Sequence, residues 1–410
     1  MGAESGHRPG RRGRAKAAGI GGCAQAGTVP WRVVQVRLGS FTPAAPVVLA
    51  PMAGVTNAAF RAMCRSFAPG LVYVNEMVMA AALVHKNPKT QRMMAFTPDE
   101  QPRSLQLYGS DPVLVGEATR RLCGEGLIDH LDMNFGCPAA KVTRKGGGAA
   151  VPAKPNLLRA IVRAAVQAAE PYGVPVTIKF RMGLFDDLLT HVTTGRIAVE
   201  EGVAAIALHA RTAEQHYAGD ARWAAIGELK AAVPEIPVLG NGDIWEAADA
   251  VRMMAETDCD GVVVGRGCLG RPWLFRDLVD ALAGRPVASA PPLGEVADVM
   301  HRHAGRLLAH MSGDEYLAMR DFRKHTGWYL TGYPVGGEIR GRFARVASMA
   351  ELEDLLAELD PTVALVDGGA RIRRGHTNGP IRVALPDGYL DHLDDMTVPD
   401  DAREMAVSGG

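Results

Sequence analysis

Three features predict an α/β chain folded as a (β/α)8 TIM barrel: eight short β-branched runs, amphipathic stretches between them, and polar residues at the end of each run. The runs cover 47–50, 71–74, 105–108, 130–135, 176–180, 205–209, 238–240 and 261–264. Helix-like stretches such as 57–67, 111–124, 156–169, 223–233 and 245–256 alternate with them, as parallel βαβ units require. An open, doubly wound sheet shares that alternation. The barrel makes the sharper demand, because its functional residues gather at the carboxyl ends of the strands.

Taken in order, the runs meet that demand. The first ends in Pro51-Met52-Ala53-Gly54, the second in Asn75-Glu76, and the third carries Gln106 before Tyr108-Gly109. The fourth ends in Asn134 and Cys137, the fifth in Lys179 and Arg181, the sixth in His209 and Arg211. The last two end in Asn241-Gly242-Asp243 and Gly265-Arg266-Gly267. Beyond the barrel, Ala290-Pro291-Pro292 reads as a linker, and helical stretches follow at 293–311, 316–330 and 349–359. The expected organisation is a disordered basic extension (1–32), the barrel (33–289), a small C-terminal helical domain (290–362) and a mostly irregular acidic tail (363–410). Both terminal extensions are expected to be flexible.

Composition bounds the function. A chain of 410 residues with 47% hydrophobic and 22% charged residues can bury a large core. The formal net charge is zero, which argues against a protein that coats nucleic acid wholesale. The charge is uneven, however: residues 1–39 hold seven Lys/Arg against one Glu, and 351–410 hold thirteen Asp/Glu against five Arg. The six cysteines are scattered without metal-ligand spacing, so no structural metal is expected and a reducing compartment fits. No apolar run reaches the length of a membrane span. The chain therefore reads as soluble and cytoplasmic, with no membrane, metal or obligate protein partner.

The strand ends suggest particular chemistry. Loops after strands seven and eight of such barrels commonly hold phosphate, and Gly242, Gly265 and Gly267 allow close backbone approach while Arg266 adds a charge-assisted bond. Tight turns alone would also account for those glycines. Lys179 would point into the barrel mouth, where a lysine needs an anionic or electron-rich partner; an ion pair with Glu76 or Asp132 is the structural alternative. Gln106 offers a neutral donor and acceptor suited to an imide edge. His209 is ambiguous alone, but Arg211, Thr212, Tyr217 and Trp223 make its loop polar and aromatic. Lys141, Arg144 and Lys145 follow Cys137, and Arg320, Arg323, Lys324 and His325 share one helical stretch. Each cluster is either a solvated face or a phosphate contact. The basic arm 8–16 would add nonspecific attraction to phosphate.

In combination these motifs resemble the tRNA-dihydrouridine synthase family, its bacterial branch in particular. The matching segments are Ala50-Pro51-Met52-Ala53-Gly54-Val55-Thr56, Asp132-Met133-Asn134-Phe135-Gly136-Cys137-Pro138, Lys179-Phe180-Arg181, Leu208-His209-Ala210-Arg211-Thr212, 241–244, 265–273 and 323–330. The resemblance implies an FMN-dependent reductase that uses NADPH to saturate the C5–C6 bond of a uridine in tRNA. It implies FMN contacts at Pro51, Met52, Ala53, Gln106, Lys179, His209, Asn241, Gly242, Asp243, Gly265 and Arg266. Cys137 matches the proton donor, and Asn134 and Arg181 would lie near the uracil. Lys141, Arg144, Lys145, Arg323, Lys324 and His325 are the expected RNA contacts. The chain departs from the family at Ala210, where glycine is usual, at 149–153, and in both extensions. Two rival readings are a flavin barrel that reduces a free pyrimidine base and an RNA-binding barrel without a cofactor.

Overall fold

The computed structural model describes residues 36–398 except Ser40; for Pro88 and Lys89 it describes the backbone alone. The basic extension 1–32 and residues 399–410 therefore lie outside the described residues. Eight parallel strands close into a barrel: β1 (Val47–Leu49), β2 (Val72–Met79), β3 (Ser104–Tyr108), β4 (His130–Phe135), β5 (Val176–Arg181), β6 (Ala205–His209), β7 (Val238–Asn241) and β8 (Gly261–Val264). β1 pairs with both β2 and β8, so no edge is left open.

Alternation along each strand divides its side chains between two cores. Leu105, Leu107, Leu131, Met133, Phe135, Ile178, Phe180, Ile206 and Leu208 belong to the large core shared with the surrounding helices. Val48, Val72, Val74, Ala205, Ala207, Leu239 and Val263 form a separate cluster with Val36 and Leu38. The interior space these residues line is completed by His130, Asp132, Thr177 and Lys179. The barrel interior is thus apolar on one side and polar on the side of β3, β4 and β5.

Local signals explain where the helices begin. Asn57 caps Ala58–Arg65 by accepting the Phe60 amide at 3.1 Å. Asp111 caps Pro112–Gly124, which carries proline at its first position. Four helices follow the barrel: Leu293–His310, Glu315–Leu330, Gly337–Phe343 and Met349–Ala357. Their core of Val296, Met300, Leu307, Met319, Phe322, Tyr329, Phe343 and Leu352 continues into Ala59, Met63 and Trp273 of the barrel's outer layer. The helices His191–Glu200 and Leu274–Leu282 and the small hairpin Gly183–Phe185/Leu188–Leu189 have no counterpart in the sequence reading. β2 also runs five residues past the 71–74 apolar stretch, across a register shift between Val74 and Met77.

Two buried features contradict expectations based on residue type. His325 is fully enclosed: its ring stacks 5.7 Å from Phe60 and lies edge-on to His303 at 4.5 Å, so it is a core residue and presents nothing to RNA. Up to residue 398 the tail has one short turn, Gly369–Arg371, among its described residues, and it is firmly anchored. Buried Arg374 donates to the carbonyls of Thr331, Ala370 and Ile372 at 3.0–3.1 Å, and Arg371 pairs with Glu246 at 2.6 Å. Buried Tyr389 lies beneath the Lys154 ammonium at 4.6 Å.

The enclosed histidines make stability pH-dependent. Burial pushes His303 down to about 3 and His130 to about 4, and holds His325 well below its ordinary value. The unfolded chain therefore binds protons that the folded one refuses, and stability present above pH ~6.5 is lost as the pH falls. At pH 5 each such histidine costs about 2 kcal/mol, whatever its folded value below 5. The thermal midpoint should drop by several degrees between pH 7 and pH 5. A midpoint that holds or rises over that interval would contradict the neutral, enclosed state of these rings.

Candidate active site

The polar side of the barrel is one connected hydrogen-bond chain. Register places Ser104 beside His130, Gln106 beside Asp132, and Asp132 beside Thr177. Ser104 Oγ and His130 Nδ1 are 2.7 Å apart, and His130 Nε2 and Thr177 Oγ1 are 2.9 Å apart. Thr177 donates to one oxygen of Asp132 and Gln106 to the other, both at 2.6 Å. Because the Thr177 hydroxyl donates to Asp132, His130 must donate from Nε2 and accept from Ser104 at Nδ1. Asn134 Nδ2 then donates to Gln106 Oε1 at 2.8 Å, and its own Oδ1 accepts the amides of Gly136 (3.0 Å) and Cys137 (2.9 Å). The conformation of the Cys137 turn is thereby tied to the barrel interior. Burial raises Asp132 to about 6 against the pull of its two donors and Lys179.

Cys137 is half-buried at the mouth. Desolvation lifts its thiol above the ordinary value, opposed by the Ala139 amide and the charges of Arg181, Lys141 and Lys179. The group stays an S–H at neutral pH. Arg181 is enclosed and spends its guanidinium on structure: Nε donates to Gly136 O, and Nη1 to Thr212 O and His216 O, all at 2.9 Å. It joins the Cys137 turn to the loop after β6.

A cleft opens between β1 and β5–β8. Pro51, Met52, Lys179, His209, Asn241, Gly242, Asp243, Gly265 and Arg266 line it, as do Arg211, Tyr217 and Trp245. Ala53 is exposed and outside this lining. Among the described residues, Lys179 has no ion-pair or hydrogen-bond partner, and burial lowers it to about 8; the pairing with Glu76 or Asp132 does not form. Gly242 has φ +131°, and a Cβ there would sit 2.6 Å from that of Ala221. The Asp243 carboxylate takes two bonds from Arg211 Nη2 (2.9 and 2.7 Å) and the Ala221 amide (2.7 Å), so it braces the cleft wall. Asn241 Nδ2 is likewise bonded to Val263 O at 2.7 Å. Arg266 lies over the rings of Tyr217 (4.4 Å) and Trp245 (5.2 Å), and desolvation lowers it to about 10. Burial and four surrounding arginine and lysine charges keep His209 neutral.

The expected RNA contacts divide. Lys141 and Arg144 are exposed on and beside the short helix Ala140–Thr143, and half-buried Lys145 follows. Arg323 donates to Val346 O at 2.8 Å, and Lys324 bonds Asp321 and Gly54 O, so both tie the Glu315–Leu330 helix to its surroundings. Trp245 and the Ser104–His130–Thr177 chain were not anticipated from the sequence, and Arg211 and Tyr217 only as parts of the His209 loop. The signal for the chain was present: polar residues two apart on three neighbouring strands, one set facing inward.

A protonated thiol beside a glycine-walled cleft holding an unpartnered lysine, all at the carboxyl ends of the strands, defines a (β/α)8 enzyme site. The family model "Dihydrouridine synthase" matches residues 48–364, and the chain belongs to that family. It is 54% identical over 382 residues to a probable tRNA-dihydrouridine synthase of Mycobacterium tuberculosis, covering 91% of this chain and 97% of that one. A probable tRNA-dihydrouridine synthase of Mycobacterium leprae is 51% identical over 388 residues (88% and 100%). The tRNA-dihydrouridine synthase B of Pseudomonas aeruginosa is 36% identical over 327 residues (79% and 96%).

Proposed function

We propose that the protein reduces the C5–C6 bond of a specific uridine in tRNA to 5,6-dihydrouridine, with FMN in the β1/β5–β8 cleft, NADPH as reductant and Cys137 as proton donor. The residues fit a flavin mononucleotide. Lys179 is a half-buried cation without an ion-pair partner among the described residues, Gly242 and Gly265 leave backbone uncovered, and Arg266 supplies charge beside the phosphate-type loops. Bound FMN would supply a hydride for C6 of the uracil. Lys179 would then stabilise negative charge at the cofactor, and His209 would stay neutral beside it. Cys137 would deliver the proton to C5, the carbon beside the carbonyl, and Arg181 would hold the turn from which it acts. The target base has to leave its stack to reach the mouth, and Lys141, Arg144 and Lys145 are the cations best placed to meet the adjoining phosphates.

The observation that carries this reading is the thiol: it is kept protonated, fixed through Asn134, and within electrostatic reach of Lys179 and Arg181. The test is to titrate the purified protein with FMN, then supply NADPH with either unmodified tRNA or free uracil. Flavin uptake and tRNA-dependent dihydrouridine are expected. Turnover of uracil but not tRNA would indicate a small-molecule reductase, and failure to take up flavin would remove the catalytic reading.

A further inference from the structure

The family model ends at residue 364, yet the chain beyond it returns to the site. From Gly369 it runs along the loops that follow β8, β6 and β4. His376 O accepts Arg266 Nη1 at 2.8 Å. Asn378 O accepts the Tyr217 amide at 3.2 Å, and the Ile381 amide donates to Glu214 O at 2.8 Å. Farther on, Val383 and Tyr389 pack with Ala149, Ala150 and Leu184, and the Tyr389 hydroxyl donates to Gly146 O at 3.3 Å.

We propose that residues 375–381 form a strap that belongs to the cofactor site, fixing Arg266 and the Tyr217 loop in position to hold the phosphate of FMN. This rests on the cofactor reading above. The Arg266 guanidinium lies over the Tyr217 and Trp245 rings and 3.5 Å from Asp243, and none of these three contacts is a directed hydrogen bond that fixes its orientation. The directed bond to His376 O does so. The same segment pins the loop that carries Tyr217, so one element sets both the charge and the ring beneath it. Fit at the contact is close: Gly379 has φ +143°, and a Cβ there would lie 2.3 Å from Gln215 O. The strap therefore pre-organises the phosphate end of the cleft, and binding avoids the cost of ordering it.

Two full-length variants test this. Gly379→Ala forces the strap off the Gln215–Tyr217 backbone, and Ile381→Pro deletes the amide that Glu214 accepts while replacing an exposed side chain. Apo-protein of the parent and of each variant is titrated with FMN and with riboflavin, which lacks the phosphate. The expected result is an FMN Kd raised about tenfold or more with riboflavin affinity unchanged. Unchanged FMN affinity, or an equal loss for FMN and riboflavin, overturns the phosphate role. A parent that binds riboflavin and FMN equally overturns it as well. A parent that binds no flavin overturns the cofactor reading, and the strap's role falls with it.

Discussion

Replacing Cys137 with alanine is expected to lower dihydrouridine formation on tRNA by about 10²–10⁴-fold, the range lost when a positioned general acid is removed. Flavin affinity and the thermal midpoint should stay near the parent's, because the turn is held by backbone amides on Asn134 and by Arg181 on Gly136 O, and the thiol takes part in neither. The pH profile carries a second signature. A thiol raised by burial remains an acid beyond the range of an ordinary cysteine, so the alkaline limb of the profile should begin at higher pH than an ordinary cysteine would set. Steady-state turnover of the variant on tRNA, with flavin absorbance as the control for loading, checks both points. Parental turnover in Cys137→Ala would end the assignment.

The second large effect concerns stability. Arg61 is 0% exposed and anchors the mouth beneath β1 and β2. Its Nε meets Glu100 Oε1 at 2.6 Å, and Nη1 bonds Thr56 O at 2.7 Å and Asn75 Oδ1 at 2.8 Å. Nη2 reaches Ala95 O at 2.8 Å and Glu100 Oε2 at 3.0 Å. Substitution to alanine leaves a carboxylate that is itself 2% exposed with only the 3.5 Å approach of Arg65 and the Thr97 amide, and frees the buried Thr56 and half-buried Ala95 carbonyls, at a cost of about 3–5 kcal/mol. Chemical denaturation should show that loss, and the joint change Arg61→Met with Glu100→Leu should recover much of it. A single-variant loss below about 1 kcal/mol, typical of an exposed pair, would contradict the buried role.

Most of the barrel was legible because its strands are short apolar runs bounded by polar residues, and all eight lie within a few residues of the expected positions. β2 was the least legible, since its second half reads Asn75-Glu76-Met77 and crosses an irregular register. His191–Glu200 was missed for a local reason: His191-Val192-Thr193-Thr194-Gly195 is a poor helix former, and tertiary packing outweighs that preference. The site was legible as a set of residue types at strand ends but not as a set of bonds. Asp243 and Arg266 were both expected to face a ligand. The register of β6 against β7, and a strap more than a hundred residues away, decide that the first braces Arg211 and the second is itself held. His325 was read as a cation beside Arg323 and Lys324; only the packing of Phe60 and His303 around it makes it a neutral core ring. Arg61 gave no sign of burial, because all five of its bonds go to residues distant in sequence or to backbone carbonyls.

The central claim is that this barrel makes dihydrouridine in tRNA with Cys137 as the acid. Mapping dihydrouridine position by position in tRNA from cells lacking the protein tests it most directly. Loss at one or more sites, restored by the parent chain and not by Cys137→Ala, is the predicted result. An unchanged dihydrouridine map, or full restoration by the alanine variant, would contradict it.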